Sequence, residues 1–217
     1  ERFSGMLLEA FQSMAAQSSG KPLLPEGFPI DLFVTATDFR GRTELLKLNS
    51  PPIVHETEHR LPIAFKSAVH EGNDTPLAHS LELVFAARAT ASFPGAFPPL
   101  RLDEIDTLAA SEGVQWRGRD AFLERIMPGH WRGKTVDNVS LIDGSVLVNA
   151  PFGGAIAALQ GRPSQREVDR RFVYVEPRPN RDTDDAKADN APVGFFGAIF
   201  GSLSTIPREQ PIRDDLE

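Results

Sequence analysis

The sequence contains no cysteine among its 217 residues. A chain without thiols forms neither disulfides nor thiolate metal sites, so its fold does not depend on a redox compartment. The sequence also lacks any apolar run that reaches the roughly 18 residues of a membrane-spanning helix. Positive charge is scarce too: the sequence has 23 Lys and Arg residues and 30 Asp and Glu residues, which gives a net charge of -7. This balance argues against nucleic acid as a main partner, because phosphate binding needs a cationic surface.

No basic-then-apolar leader opens the chain, and an amphipathic pattern is already present in its first residues. We therefore expect a segment of a longer bacterial protein that is cytoplasmic or peripheral to a membrane and has the rest of its own chain as a partner. Apolar residues make up 41% of the sequence and charged residues 24%, which is typical of a globular domain with a sizeable core.

Helices are predicted where apolar residues recur at a spacing of three and four. One covers residues 3–14, and a second begins with Thr75 as its cap and Pro76 at its first position and stops before Pro94-Gly95. The other predicted helices cover residues 102–111, 121–127, 151–161 and the apolar segment 193–206, which is too short to span a membrane. The polar segment 180–190 is expected to be a mobile loop.

Strands are predicted from β-branched and apolar runs. The run from Ile30 to Ala36 is nearly continuously apolar, which is typical of a parallel strand covered on both faces. Asp38 and the segment 40–42 are then expected to turn the chain. Further strands are predicted at 43–48, 61–70, 138–143 and 170–177. Because strands and helices alternate, the sequence predicts an α/β fold with a mainly parallel sheet, built by residues 1–217 as part of one domain.

Two acidic residues, Asp38 and Asp143, come directly after predicted strands, where chemistry collects in α/β proteins. Asp143-Gly144 is open to two interpretations, a plain β-turn or a carboxylate held at the edge of a sheet. Asp38 is interpreted as a turn or cap residue. Arg88 is expected to pack its stem on the surface with its charge in water, or else to face an anionic head group.

Histidines offer a weaker candidate site. His55 and His59 have the spacing of a metal site on a helix, which would make the protein a metal-dependent hydrolase. The surrounding segment is polar and bounded by prolines, so a surface position is the favoured interpretation. His70, His79 and His130 are scattered, and solvated or structural roles are expected for them. No metal or organic cofactor is implied by the sequence.

Three stretches in order, DLFVTATDFRGR, ARATASFPGAFPP and IDGSVLVNAPF, carry a resemblance to the patatin-like acyl hydrolases. It spans roughly residues 30 to 160. The most specific parts are the Pro-Gly-x-Phe-Pro loop with its Pro94 and Gly95, the Asp-Gly turn, and the Asn-x-Pro segment. The turn and the segment contain Asp143, Gly144, Ser145, Asn149 and Pro151.

The resemblance implies a three-layer α/β domain that hydrolyses acyl esters of lipids with a Ser/Asp dyad. In that family a serine in a Gly-x-Ser-x-Gly elbow attacks the ester, and the Asp of the turn takes its proton. By position Asp143 is the base, Gly144 permits the turn, and Asn149 with Pro151 shapes the start of the next helix. The loop 94–99 is expected to pack near the site. An acyl ester is the expected substrate. Segment 193–206 is interpreted as a core helix, and the alternative is an apolar surface that contacts a membrane peripherally.

The sequence departs from the family in three respects. It contains no Gly-x-Ser-x-Gly, it lacks the Gly-rich oxyanion loop, and Ser145 replaces the usual Gly or Ala. The serine is therefore expected upstream of this chain, within an incomplete catalytic domain, and the isolated chain is predicted to be inactive. The alternative is a non-catalytic lipid- or protein-binding module that retains the fold without the nucleophile.

Overall fold

A computed structural model describes residues 2–17, 29–47, 49, 53–68, 77–147, 152–160, 167–173 and 175. In chain order, the elements are α1 (Arg2–Ala16), β1 (Pro29–Lys47), β2 (Ile53–Ala68), α2 (Ser80–Thr90), α3 (Leu102–Ser111), α4 (Arg119–Ile126), α5 (Pro128–Gly133), β3 (Leu141–Asp143) and α6 (Phe152–Gln160). Two 3₁₀ turns, at Val136–Asn138 and Gly144–Val146, lie on either side of β3.

The sheet has the strand order β2-β1-β3, and both of its pairings are antiparallel. The predicted mainly parallel sheet and three-layer sandwich are therefore wrong for the described residues. Lys47 pairs with Ile53, so β1 and β2 are two arms of one hairpin, a connection too short for the crossover that parallel strands require. The apolar run at 30–36 does form a strand, but Ile30 is 43% exposed and is not covered on both faces.

The predicted turn at residues 38–42 is also wrong, because β1 continues through it. A register shift between Thr37 and Arg42 absorbs the extra residues as a bulge, and Gly41 within it has φ 67°. A positive φ of this size is costly for any residue except glycine, which explains why glycine stands between Arg40 and Arg42. The bulge leaves Asp38 inside the strand, where it is buried.

Four predicted helices are confirmed in type and approximate position: α1, α3, α4 and α6. In α1, Ser4 and Leu8 are buried and Leu7 and Phe11 pack against the core, whereas Met6 and Met14 are exposed. The short helix α5 was not predicted. The predicted strand at 170–177 is wrong where the structure describes it, since residues 170–173 and 175 are not in a strand.

Helix α2 buries the predicted side, with Leu81, Val84, Phe85 and Ala89 all inside the core. Its start differs from the prediction. The first helical residue is Ser80, and the ring nitrogen Nδ1 of His79 caps the helix by accepting the amide of Leu81 at 3.2 Å. Other predictions lie outside the described residues: the Thr75-Pro76 start, His70, Asn149, Pro151, and the segments 180–190 and 193–206.

The core lies between the β1–β2 hairpin and helices α2, α3 and α4. Its centre is aromatic: the rings of Phe85 and Phe122 meet edge to face with centroids 5.5 Å apart, and Phe65 of β2 stacks on Phe122 at 6.1 Å. Helix α6 contacts β1 at Phe33, which lies against Gly154. Across the described ranges, no helix combines the length and apolar character needed to cross a membrane.

Candidate functional site

The three sequence blocks that carry the resemblance meet at Asp143. In the sheet, Asp143 of β3 pairs with Ala36 of β1. Its backbone N–H donates to the carbonyl of Ser92, just after α2, at 3.1 Å. The loop that follows returns to β3, where Leu100 and Leu141 exchange two backbone hydrogen bonds of 2.8 Å. The folded chain therefore holds this aspartate between the strand, the loop and the turn.

The carboxyl group of Asp143 is half-buried and serves as the cap of a turn. Its Oδ1 accepts the backbone N–H of Ser145 at 2.8 Å, at the start of the 3₁₀ turn Gly144–Val146. The interpretation of Asp143-Gly144 as a turn is thus confirmed. Within the part of the chain that the structure describes, the other oxygen, Oδ2, accepts no hydrogen bond. The hydrogen bond to Oδ1 fixes the orientation of the carboxyl group.

Gly144 is required by close packing rather than by its backbone angles. A Cβ at this position would lie 2.3 Å from the backbone oxygen of Thr35 in β1, well inside contact distance. Gly144 itself is buried. The glycine therefore lets the turn after β3 approach the backbone of β1, and this approach fixes the place of Asp143 in the sheet.

We expect Gly144→Ala to lower the free energy of unfolding by about 1–3 kcal/mol, because the new methyl group meets backbone that cannot move aside cheaply. Gly153→Ala is the matched control, since Gly153 lies in α6 and a Cβ there meets nothing within 4 Å. Alanine is the better helix former, so the control should be neutral or raise stability by up to about 1 kcal/mol. Urea denaturation of both variants measures the difference, and equal effects would contradict the packing argument.

The loop that contains Pro94 and Gly95 joins Ser92 and Leu100, two residues whose backbones are hydrogen-bonded to β3. Gly95 has φ 90°, a left-handed angle that favours glycine. Two residues later the ring of Phe97 stacks on Phe3 of α1, with centroids 5.0 Å apart. The loop is thus attached at one end to α1 and at the other, through the Ser92 carbonyl, to Asp143.

Arg88 does not place its charge in water, so that prediction is wrong. Its side chain is only 3% exposed, and its Nε donates to Glu104 Oε1 of α3 at 3.0 Å. The other guanidinium nitrogens donate to Ser92 Oγ at 2.6 Å and to the Pro98 carbonyl at 3.1 Å. The hydroxyl of Ser4 donates to the same Glu104. This buried network, rather than a head group, occupies the arginine and holds both ends of the loop.

Asp38 lies in strand β1 rather than in a turn, although its side chain caps the backbone N–H of Arg40, and its contact with His130 was not predicted. Its side chain is 6% exposed, and the Nε2–H of His130 on α5 donates to its Oδ2 at 3.0 Å. Its Oδ1 accepts the backbone N–H of Arg40 at 3.1 Å. The ring of His130 contacts Thr135 on its other side, with Nδ1 and Oγ1 2.9 Å apart. No sequence signal joins Asp38 to His130, because their contact depends on how α5 packs against β1.

Two open cavities meet at this pair, and Asp38, Arg42 and His130 line both of them. The larger has a volume of about 570 Å³. Its apolar wall is formed by Phe33, Ala36, Leu61, Ile126 and Met127, and its charged residues include Arg42, Glu44, Glu58, Arg60 and Arg125. The smaller, of about 290 Å³, contains Thr135 and Asn138 in its wall.

Two charged residues in the wall of the larger cavity form an ion pair. Arg60 Nε and Nη2 donate to the two oxygens of Glu58 at 2.9 and 2.6 Å. Chiefly this hydrogen-bonded pair lowers the pKa of Glu58 to about 2. Arg125 of the same wall lies near Glu82 of α2, whose pKa is raised by burial, an effect that Arg125 partly opposes. The larger cavity thus combines apolar wall residues with paired charges.

The lowered pKa predicts a pH dependence for the Glu58–Arg60 pair. A carboxyl with a depressed pKa in the folded protein stabilises it above the ordinary value of 4.5, and this contribution is lost as the pH falls toward about 2. Because Arg60 is largely exposed, we expect Glu58→Gln to cost less than about 1 kcal/mol at pH 7. NMR titration of the side-chain carboxyl provides the measurement. A Glu58 resonance that titrates at the ordinary value would contradict the pairing.

The proposed metal site at His55 and His59 is wrong in its structural premise. Both residues lie in strand β2 rather than on a helix, so they are not neighbours on one helical face. His59 instead contacts the backbone oxygen of Asp38 through Nδ1 at 2.7 Å. Over the described ranges, no group of three or more His, Asp or Glu residues is arranged to hold a metal ion.

Comparison with known proteins leaves the family open. No family model matches the sequence, and no solved structure matches it. The chain is similar to an uncharacterized membrane protein, Rv3479, of Mycobacterium tuberculosis (strain ATCC 25618 / H37Rv), at 26% identity over 205 residues. The match covers 89% of this chain and 18% of that protein, so the chain spans less than a fifth of the relative's length.

Proposed function

We propose that this chain supplies the general base of an acyl ester hydrolase, with Asp143 acting on a serine contributed by an upstream part of the same protein. The supporting observation is the convergence at Asp143. Residues of the other two motif blocks, which are far from it in sequence, contact this aspartate: Ala36 pairs with it in the sheet, and the Ser92 carbonyl accepts its backbone N–H. The neighbouring Gly144 packs against Thr35 of the first block, and a turn that served only to reverse the chain would not need these contacts.

In the proposed reaction, the part played by this chain is to hold the carboxyl group of Asp143 in position. As the serine oxygen attacks the ester carbonyl, its proton passes to Asp143 Oδ2, and the acid then returns that proton to the leaving alcohol. Oδ1 stays bound to the Ser145 amide and keeps the carboxyl oriented through both transfers. The hydrogen bond from the Asp143 N–H to the Ser92 carbonyl restrains the backbone of Asp143 itself. The expected substrate is a lipid or another acyl ester.

Contact with a membrane forms part of the proposal. The relative from Mycobacterium tuberculosis is described as a membrane protein. In the described part of this chain no helix is suited to span a bilayer. We therefore propose that the site works on ester substrates at a membrane surface, by peripheral contact.

The first experiment separates an enzyme from a binding module. The longer protein that contains this chain is treated with a serine-directed fluorophosphonate and tested on a chromogenic short-chain ester. We expect one labelled serine in a Gly-x-Ser-x-Gly segment, and turnover that a chelator does not affect. A metal-dependent hydrolase would lose activity with the chelator, and a binding module would show neither label nor turnover.

The 217-residue chain alone should show no ester turnover that depends on Asp143. Such turnover would mean that the nucleophile has been misplaced.

A further inference from the structure

A second set of groups, remote in sequence from Asp143, has the arrangement of an activated nucleophile. Asp38, His130 and Thr135 form a hydrogen-bonded series: Oδ2 to Nε2 at 3.0 Å, and Nδ1 to Oγ1 at 2.9 Å. A hydroxyl, an imidazole and a carboxylate in this order are recognised by geometry and role, whatever the fold or the order in the chain. We propose that Thr135 is an acyl-accepting nucleophile that reacts with small esters.

The direction of the two hydrogen bonds follows from the buried carboxylate of Asp38. An ionised carboxylate only accepts hydrogen bonds, so the proton of the neutral ring is on Nε2, facing Asp38. Nδ1 then carries a lone pair, and the hydroxyl of Thr135 donates to it. The carboxylate is itself oriented by the Arg40 amide and, at 6% exposure of its side chain, is shielded from water. The ring is therefore set to remove the hydroxyl proton.

Backbone hydrogen bonds hold the main chain of Thr135 beside α5. The N–H of Thr135 donates to the carbonyl of His130 at 2.9 Å, where the chain leaves α5. Lys134 between them has φ 54°, a left-handed angle that closes the end of the helix. On its other side, the Thr135 carbonyl accepts the N–H of Asn138 at 3.0 Å in the 3₁₀ turn Val136–Asn138. The main chain of Thr135 is thus held on both sides, and its hydroxyl reaches the ring of His130 through the side chain.

The cavity in front of Thr135 sets the class of substrate. Its volume of about 290 Å³ is just below the roughly 300–1,000 Å³ of sites for drug-sized ligands, which suits a short acyl group rather than a lipid chain. Arg40 and Arg42 line the same cavity. Guanidinium N–H groups are suitable donors to the oxygen that becomes negative when an ester carbonyl is attacked.

The reaction balances with groups that are present. As Thr135 Oγ1 bonds to the carbonyl carbon, its proton moves to His130 Nδ1, and the imidazolium formed is stabilised by Asp38. The intermediate then expels the alcohol, which takes the proton from Nδ1. The products are an acyl ester of Thr135 and one molecule of alcohol. This step needs neither Asp143 nor the serine of the proposed function.

The test uses the 217-residue chain and 4-nitrophenyl acetate, with an acid quench and peptide mass spectrometry. We expect one acetyl group on Thr135 and a stoichiometric release of nitrophenol. Thr135→Val should abolish both, whereas Thr135→Ser should retain both, because a primary hydroxyl is less hindered. His130→Gln should slow acetylation by about 100-fold, the typical contribution of a general base.

Thr107→Val is the matched control, since Thr107 lies exposed on α3 and should react no differently from the unaltered chain. Urea denaturation establishes that each variant is folded before it is assayed. The proposal is overturned if Thr135→Val takes up as many acetyl groups, and releases as much nitrophenol, as the unaltered chain. It is equally overturned if the folded chain acquires no acetyl group at Thr135, or if His130→Gln leaves the rate unchanged.

Discussion

Asp143→Asn should remove nearly all ester hydrolysis from the longer protein while leaving it folded. Asparagine has almost the volume of aspartate and can still accept the Ser145 amide, so the turn at Gly144 should survive. The side-chain amide of asparagine cannot take the proton of a serine. Since general base catalysis contributes about 100- to 10,000-fold, we expect kcat/KM to fall by that factor. The measurement is steady-state hydrolysis of a short-chain ester.

The control for this variant is Asp137→Asn. Asp137 lies exposed in the 3₁₀ turn that precedes β3, so its replacement makes the same change in charge close to the same strand. We expect its activity to equal that of the unaltered protein. Full activity in Asp143→Asn, with normal denaturation, would end the assignment of the base. An equal loss in both variants would show that net charge, and not proton transfer, is responsible.

Arg88→Met should be the most destabilising single substitution near the site, at about 3–5 kcal/mol, because it removes the guanidinium charge from the partly buried carboxylate of Glu104. Glu104 would retain the hydroxyl of Ser4 but lose both guanidinium hydrogen bonds. The Pro98 carbonyl and the Ser92 hydroxyl would lose a donor as well. Since domains are stable by only about 5–15 kcal/mol, this is a large share of the total.

Two further variants isolate the cause of that loss. Arg101→Met removes an arginine whose side chain is 51% exposed, so it should cost less than about 1 kcal/mol. The double variant Arg88→Met/Glu104→Leu removes both charges, and we expect it to recover part of the loss. Urea denaturation is the measurement for all three. If Arg88→Met costs no more than Arg101→Met, the buried network does not hold the loop.

The elements that could be predicted were those decided by local sequence. Helix α3 begins and ends where its apolar spacing indicates, and α2 ends before Pro94, because proline cannot continue a helix. The direction of the sheet could not be predicted in this way. The run 30–36 has the composition of a buried parallel strand, but its partner is set by the short link to β2, and the apolar pattern does not encode that link.

Only part of the candidate site could be predicted, because only part of it is decided by local sequence. The turn at Asp143 was visible because Asp-Gly is a local signal, whereas a place for the loop near it was only an implication of the family resemblance. Asp38 and Arg88 were misjudged because their burial depends on distant residues. His130 reaches Asp38 from α5, and Glu104 reaches Arg88 from α3. A charged residue in a sequence is rightly expected at the surface unless a partner is known, and the partner is supplied only by the fold.

The most direct test is a crystal structure of the longer protein with a phosphonate bound to its reactive serine. The quantity to be measured is the distance between the serine Oγ and Asp143 Oδ2. We predict a separation of about 2.6–3.2 Å, the reach of a hydrogen bond, with Oδ1 still on the Ser145 amide. A serine beyond that reach, with Asp143 engaged only in capping its own turn, would contradict the account.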